Sequence, residues 1–130
     1  MIKILFSVLL LCIFHPNSYA QNTDVDTRAA SISGANCASV DALGSFIKGN
    51  FTTDTDRIRA IYIWITHHIN YDVALFLARE EEGSDSQPKP TVADILASRK
   101  GVCQGYSELF IELCNRVGIH ATLVSGYTKK

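Results

Sequence analysis

The stretch Lys100-Gly101-Val102-Cys103-Gln104-Gly105-Tyr106-Ser107 constrains this chain most, because it sets a turn and a cysteine directly ahead of a helical repeat. Tyr106, Leu109, Phe110, Leu113, Cys114 and Val117 recur at spacings of three and four, which predicts a helix buried on one face. Cys103 falls on its opening turn, and Gly101 is read as the residue that lets the chain reverse without a Cβ clash. The first N–H groups of a helix have no partner within it, and the positive end of the peptide dipoles lies there. A thiolate at 103 would be stabilised by both. The thiolate is the nucleophilic form of cysteine, and helix N-termini are among the environments that bring a cysteine pKa into the range ~3.5–7.5. A cysteine inside a helix is ordinarily a small packing residue. One on the opening turn, between two glycines, reads as a nucleophile.

The N-terminus reads as a secretory leader. Lys3 supplies a positive start, residues 4–14 an apolar run, and Ser18-Tyr19-Ala20 the small residues ahead of a cleavage point after Ala20. The apolar run is shorter than the ~20 residues of a membrane-spanning helix, so a retained anchor is the runner-up reading and no membrane span is expected after cleavage. The chain is then expected to be secreted or periplasmic. Residues 21–37 are polar and unperiodic and read as a flexible lead-in. Val40, Leu43, Phe46 and Ile47 mark a short amphipathic helix that Gly49 would stop, and Asn50-Phe51-Thr52 is a glycosylation sequon.

The next helix opens at Thr53-Asp54-Thr55-Asp56, and Ile58, Ile61, Tyr62, Ile65 and Ile69, extended by Trp64 and His68, form a stripe read as core. His67 and His68 point about 100° apart on such a helix and have no carboxylate or cysteine at ligand spacing, so no metal is expected on them. The charged, breaker-rich run from Arg79 through Pro90 reads as a surface loop. Thr91-Val92-Ala93-Asp94 has the spacing of a capping box that opens a short helix carrying Ile95 and Leu96. Gly118 fits a helix C-cap, and residues 121–125 read as the one convincing strand, which needs a pairing partner.

Three of these segments together resemble one family. Gly101-Val102-Cys103-Gln104-Gly105-Tyr106-Ser107 resembles the cysteine motif of the transglutaminase-like superfamily. Ile61-Tyr62-Ile63-Trp64-Ile65 with Ile69-Asn70-Tyr71-Asp72 resembles its tryptophan helix and the exit from it. The segment from Gly118 to Tyr127 resembles its first core strand. The resemblance implies an α+β fold with a papain-like, transglutaminase-like core over residues 38–130. In it a helical N-terminal half carries the nucleophile on a helix N-terminus, and the sheet breaks off after its first strand. It implies Cys103 as the catalytic residue, with the family's histidine and aspartate expected on strands beyond Lys130.

Cysteine-dependent acyl transfer, or amide or peptide hydrolysis through a thioester, is the activity the resemblance implies for a complete domain. Members of the family that have lost triad residues serve as interaction modules, and that is the alternative. Protein or peptide substrates are the expected partners, together with a chain that completes the sheet. Animal members use calcium, but no array of oxygen ligands stands out here, so neither metal nor cofactor is expected. The chain holds 12 basic and 13 acidic residues with no basic stripe among its aromatics, which argues against a nucleic-acid partner.

Of the four cysteines, Cys12 would leave with the leader. Cys103 and Cys114 stand about 16 Å apart along one helix and cannot bridge. A Cys37 to Cys114 disulfide is open, and it would leave Cys103 free. His120 would lie roughly 20 Å from Cys103, at the far end of the helix, and is a poor base.

Overall fold

The computed structural model describes residues 23–82, 88–124 and 126. The leader read at residues 1–20 lies outside them. Helix α1 (Thr23–Ala30) and a 3-10 turn (Gly34–Cys37) lie where a flexible lead-in was expected. The physical reason is a short apolar stripe. Val25, Ala29 and Ile32, spaced by four and three, are all buried, and α1 packs on helix α3 (Asp54–His68). Arg59 of α3 adds two hydrogen bonds to Asp26, at 2.6 and 2.8 Å.

Helix α2 (Val40–Asn50) starts at Ser39, whose hydroxyl accepts the Ala42 N–H. It runs through Gly49, the expected stop, and closes on Phe51. Its buried residues Leu43, Gly44 and Ile47 face helix α6 (Cys103–Val117). In α3, Thr53 caps through the Asp56 N–H as its sequence suggested. The stripe is narrower than expected. Ala60, Ile61, Trp64 and Ile65 are buried, and so is Ile69 just past the helix, whereas Ile58 and Tyr62 face outward.

Beyond α3 come strand β1 (Asn70–Tyr71) and helix α4 (Val73–Glu82). The charged run after Arg79 begins inside α4 rather than as a loop. Arginine and glutamate are good helix formers, so charge alone did not mark a loop there. Residues 83–87, the centre of the expected loop, lie outside the described residues. Helix α5 (Val92–Ser98) carries the capping box in full: Asp94 accepts the Thr91 N–H at 2.9 Å, and the Thr91 hydroxyl accepts the Asp94 N–H at 3.2 Å.

Strand β2 (Lys100–Gly101) pairs in parallel with β1, Asn70 opposite Lys100 and Tyr71 opposite Gly101. This two-stranded parallel sheet and the helices around it make an α+β fold, the class that the resemblance implies. The strand expected at 121–125 is not formed over 121–124, and Ser125 lies outside the described residues. A strand exists only by its ladder, and nothing described here pairs with that segment. Trp64, Leu43, Ile47, Ile61, Ile95, Leu109 and Leu113 form the centre of the core, with α6 packed against α2, α3 and α5. Among the described residues no helix is long and apolar enough to cross a membrane.

Candidate active site

Cys103 is the first residue of α6, and its side chain is exposed. Three devices place it there. The first is α5, fixed by its capping box and closed by Arg99 in the left-handed region at φ 57°. Arg99, rather than Gly101, makes the reversal. A non-glycine residue pays for that conformation, and Arg99 is held in it from outside the turn. Its guanidinium lies 4.8 Å from the Trp64 ring centre and donates to the Cys37 carbonyl and thiol, both at 3.3 Å.

The second device is the parallel pair. Asn70 N–H donates to the Arg99 carbonyl at 2.8 Å, and Asp72 N–H to the Gly101 carbonyl at 3.0 Å, so the exit from α3 clamps the segment leading to the cysteine. Gly101 matters for space rather than for conformation, since a Cβ there would meet Ile95 at 3.4 Å. The third is the close contact of α5 with α6. At Gly105 a Cβ would fall 2.7 Å from Ile95 Cδ1, so glycine lets the two helices meet directly beneath the nucleophile turn. Tyr106 locks the same junction from α6 by donating to the Ile69 carbonyl at 2.6 Å, and burial pushes its phenol pKa up, with Tyr71 adding to the shift.

Val102, the residue before the helix, makes no side-chain cap. The N–H groups of Cys103, Gln104 and Gly105 precede the first intrahelical bond, which Tyr106 N–H makes to the Val102 carbonyl, and so remain available to a ligand. Beside them opens a cleft of about 260 Å³ lined by Phe76, Arg79, Glu80, Val102, Cys103 and Gln104. Asp72 starts α4, the helix that supplies Phe76, Arg79 and Glu80, by accepting the Leu75 N–H at 3.0 Å. Phe76 and Arg79 were not foreseen from the sequence. Their only local signal was the run from Val73 to Leu77, too short to say which way a helix would lean.

The remaining expectations concern the other cysteines and the histidines. Cys37 and Cys114 are both free and buried, so the disulfide left open between them is not formed. Burial pushes the Cys114 thiol pKa up, as suits a packing residue. His68 stacks on Trp64 at 4.8 Å and bonds its carbonyl through Nδ1 at 2.9 Å. His67 faces a separate surface depression beside Asp26. His120 follows the C-terminus of α6, beyond the Gly118 cap at φ 88°. Among the described residues no histidine lines the Cys103 cleft.

A thiol on an uncapped helix start, clamped by the exit from a tryptophan helix, is the arrangement that the cysteine motif implies. The sequence matches the transglutaminase-like superfamily over residues 41–130. The chain belongs to that superfamily. It is 40% identical over 90 residues to human kyphoscoliosis peptidase, and 42% identical over 77 residues to the mouse protein of that name. These matches take in 69% and 59% of this chain but 13% and 11% of those proteins. Hillarin of Drosophila melanogaster is 29% identical over 106 residues, 82% of this chain and 12% of its own length. The chain thus spans about an eighth of the length of the curated relatives it matches. No solved structure matches it significantly.

Proposed function

We propose that the chain carries the nucleophile half of a cysteine acyl-transfer site. Cys103 Sγ attacks a glutaminyl or peptide carbonyl, and the tetrahedral oxyanion is held by the N–H groups of the first turn of α6. Collapse of that intermediate breaks the C–N bond, the departing nitrogen takes up the proton that the Cys103 thiol has released, and a thioester remains. Water resolves it in hydrolysis, an amine in transfer. The observation that carries this reading is the exposed thiol on an uncapped helix start at the mouth of a cleft. The superfamily and the name peptidase borne by two relatives support it.

Cys103→Ala is the deciding variant. Expected is complete loss of amine incorporation into, and of hydrolysis of, glutamine-containing peptides, with no thioester adduct by intact mass and an unchanged circular-dichroism melt. Turnover retained in that variant would overturn the reading. A second reading, an interaction module without catalysis, is favoured by the lack of a histidine lining the cleft among the described residues. It predicts saturable peptide binding, without turnover, that Cys103→Ala leaves unchanged.

The chain is also proposed to be exported, on the strength of Lys3, the apolar residues 4–14 and the small residues ahead of Gln21. The natural product should then begin at Gln21 when its N-terminus is sequenced, and a product beginning at Met1 would refute export by this leader. Protein or peptide substrates and a strand completing the β1–β2 sheet, from this protein or another chain, are the partners this reading carries.

A further inference from the structure

The wall that α4 gives the Cys103 cleft holds a cation with no acceptor among the described residues. The other arginines among the described residues all have acceptors: Arg28 on Asp24 and the Asn50 carbonyl, Arg57 on Asp54 and the Phe51 carbonyl, Arg59 on Asp26, Arg99 on Cys37, and Arg116 on Glu112 and Asp41. Arg79 has none. Its Nε is buried and makes no hydrogen bond among the described residues. A buried donor left without an acceptor is costly, and a charged acceptor brought by a ligand removes that cost with a bond stronger than a neutral one.

Two cavities meet at this side chain. One is a pit of about 10 Å³ shared with Lys89, Gln104 and Glu108, with room for no more than one water. The other is the cleft of about 260 Å³ that contains Cys103. The other cation that lines the pit, Lys89, pairs with Glu108 at 2.5 Å. Glu80 also lines the cleft but is exposed, and consecutive helical residues point about 100° apart, so its side chain leaves the helix in a different direction from that of Arg79. Phe76 gives the floor beside Arg79 an apolar surface, and its ring lies 6.0 Å from that of Tyr71, which ties it to β1.

On the reading that Cys103 is the nucleophile, we propose that Arg79 is the specificity-determining residue of this site. It reads an acidic side chain within a residue or two of the carbonyl that Cys103 attacks. The substrate class is therefore peptide or protein segments with a glutamate or aspartate flanking the target amide. The apolar stem of such a side chain lies on Phe76 while its carboxylate takes the Arg79 guanidinium.

The test uses the full chain and two peptidyl vinyl sulfones that differ only in glutamate or glutamine beside the warhead, with iodoacetamide as a featureless reference. Modification of Cys103 is followed by intact mass, with Cys103→Ala as the blank. With each peptidyl rate divided by the same protein's iodoacetamide rate, expected is about tenfold faster labelling by the glutamate probe, a preference that Arg79→Gln removes, Arg79→Lys partly keeps and Glu80→Gln leaves in place. Equal rates for the two peptidyl probes on the wild-type chain would overturn the role of Arg79 and leave the nucleophile reading standing. Failure of every electrophile to label Cys103 would bring down that reading, and this one with it. Should Arg79→Gln not fold, the wild-type preference and its decline with added salt decide the matter.

Discussion

Asp26 and Arg59 set the pH dependence at the scale of single residues. The hydrogen bonds from Arg59 hold the Asp26 carboxyl below its ordinary range; desolvation opposes this, and the charges of Arg59 and His67 add to it. A carboxyl whose folded pKa is depressed contributes stability that is fully present above its unfolded value, near 4, and is lost as the pH falls through the lower folded value. Asp26→Asn should therefore lose less stability than the wild-type chain between about pH 5 and pH 2, measured as the urea midpoint at each pH. A residual acid sensitivity should remain in the variant, because Thr91 holds the Asp94 carboxyl low in the same way. Arg59 itself is shifted upward and stays charged throughout that range. Parallel acid profiles for the two proteins would show that this pair does not couple α1 to α3.

Among elements, the contact of α2 with α6 is the tightest to test. A Cβ on Gly44 would lie 2.6 Å from Arg116 Cβ, a stem atom that cannot swing away as a side-chain tip can. Alanine in place of a helical glycine ordinarily adds about 0.5–1 kcal/mol, while overpacking costs about 1–3 kcal/mol. The clash should win. Gly44→Ala is expected to destabilise by about 1–2 kcal/mol in urea unfolding, the helices moving apart to admit the methyl group. Gly49→Ala is the matched control: it lies in the same helix, a Cβ there meets nothing within 4 Å, and a gain of several tenths of a kcal/mol is expected. The element level also sets the site, because α5 and β2 hold Cys103 only while Arg99 keeps its left-handed turn against Trp64 and Cys37.

For the whole molecule, residues 23–37 are part of the domain, although the family match begins only at residue 41. They bring Val25, Ala29, Ile32 and Cys37 into the core, and the Ile32 carbonyl accepts the buried Trp64 Nε1–H at 3.1 Å. A chain beginning at Val40 would leave that indole donor, Arg59 and the Arg99 guanidinium without the hydrogen-bond acceptors they have on Ile32, Asp26 and Cys37. Such a chain should unfold without a cooperative urea transition. Its fluorescence should be red-shifted even in buffer, and the reading is direct because Trp64 is the one tryptophan in the sequence. A sharp transition with unshifted emission would show that α1 is dispensable.

The readable parts of this protein were those whose causes lie within a few residues of one another. Helices α2, α3, α5 and α6 were legible because apolar spacing and cap bonds such as Thr53 to Asp56 and Thr91 to Asp94 are local. The placement of Cys103 on the opening turn of α6 followed from the same local pattern. Residues 23–30 hid their helix because three apolar residues in a polar segment gain nothing until α3 supplies a surface. The tertiary structure alone decided that α1 packs on α3, that residues 70–71 pair in parallel with 100–101, and that Arg99 turns left-handed against partners 35 and 62 positions away. It alone brought Phe76 and Arg79 to the nucleophile. Such contacts close long loops, and only packing summed over the whole core repays the entropy of closing them.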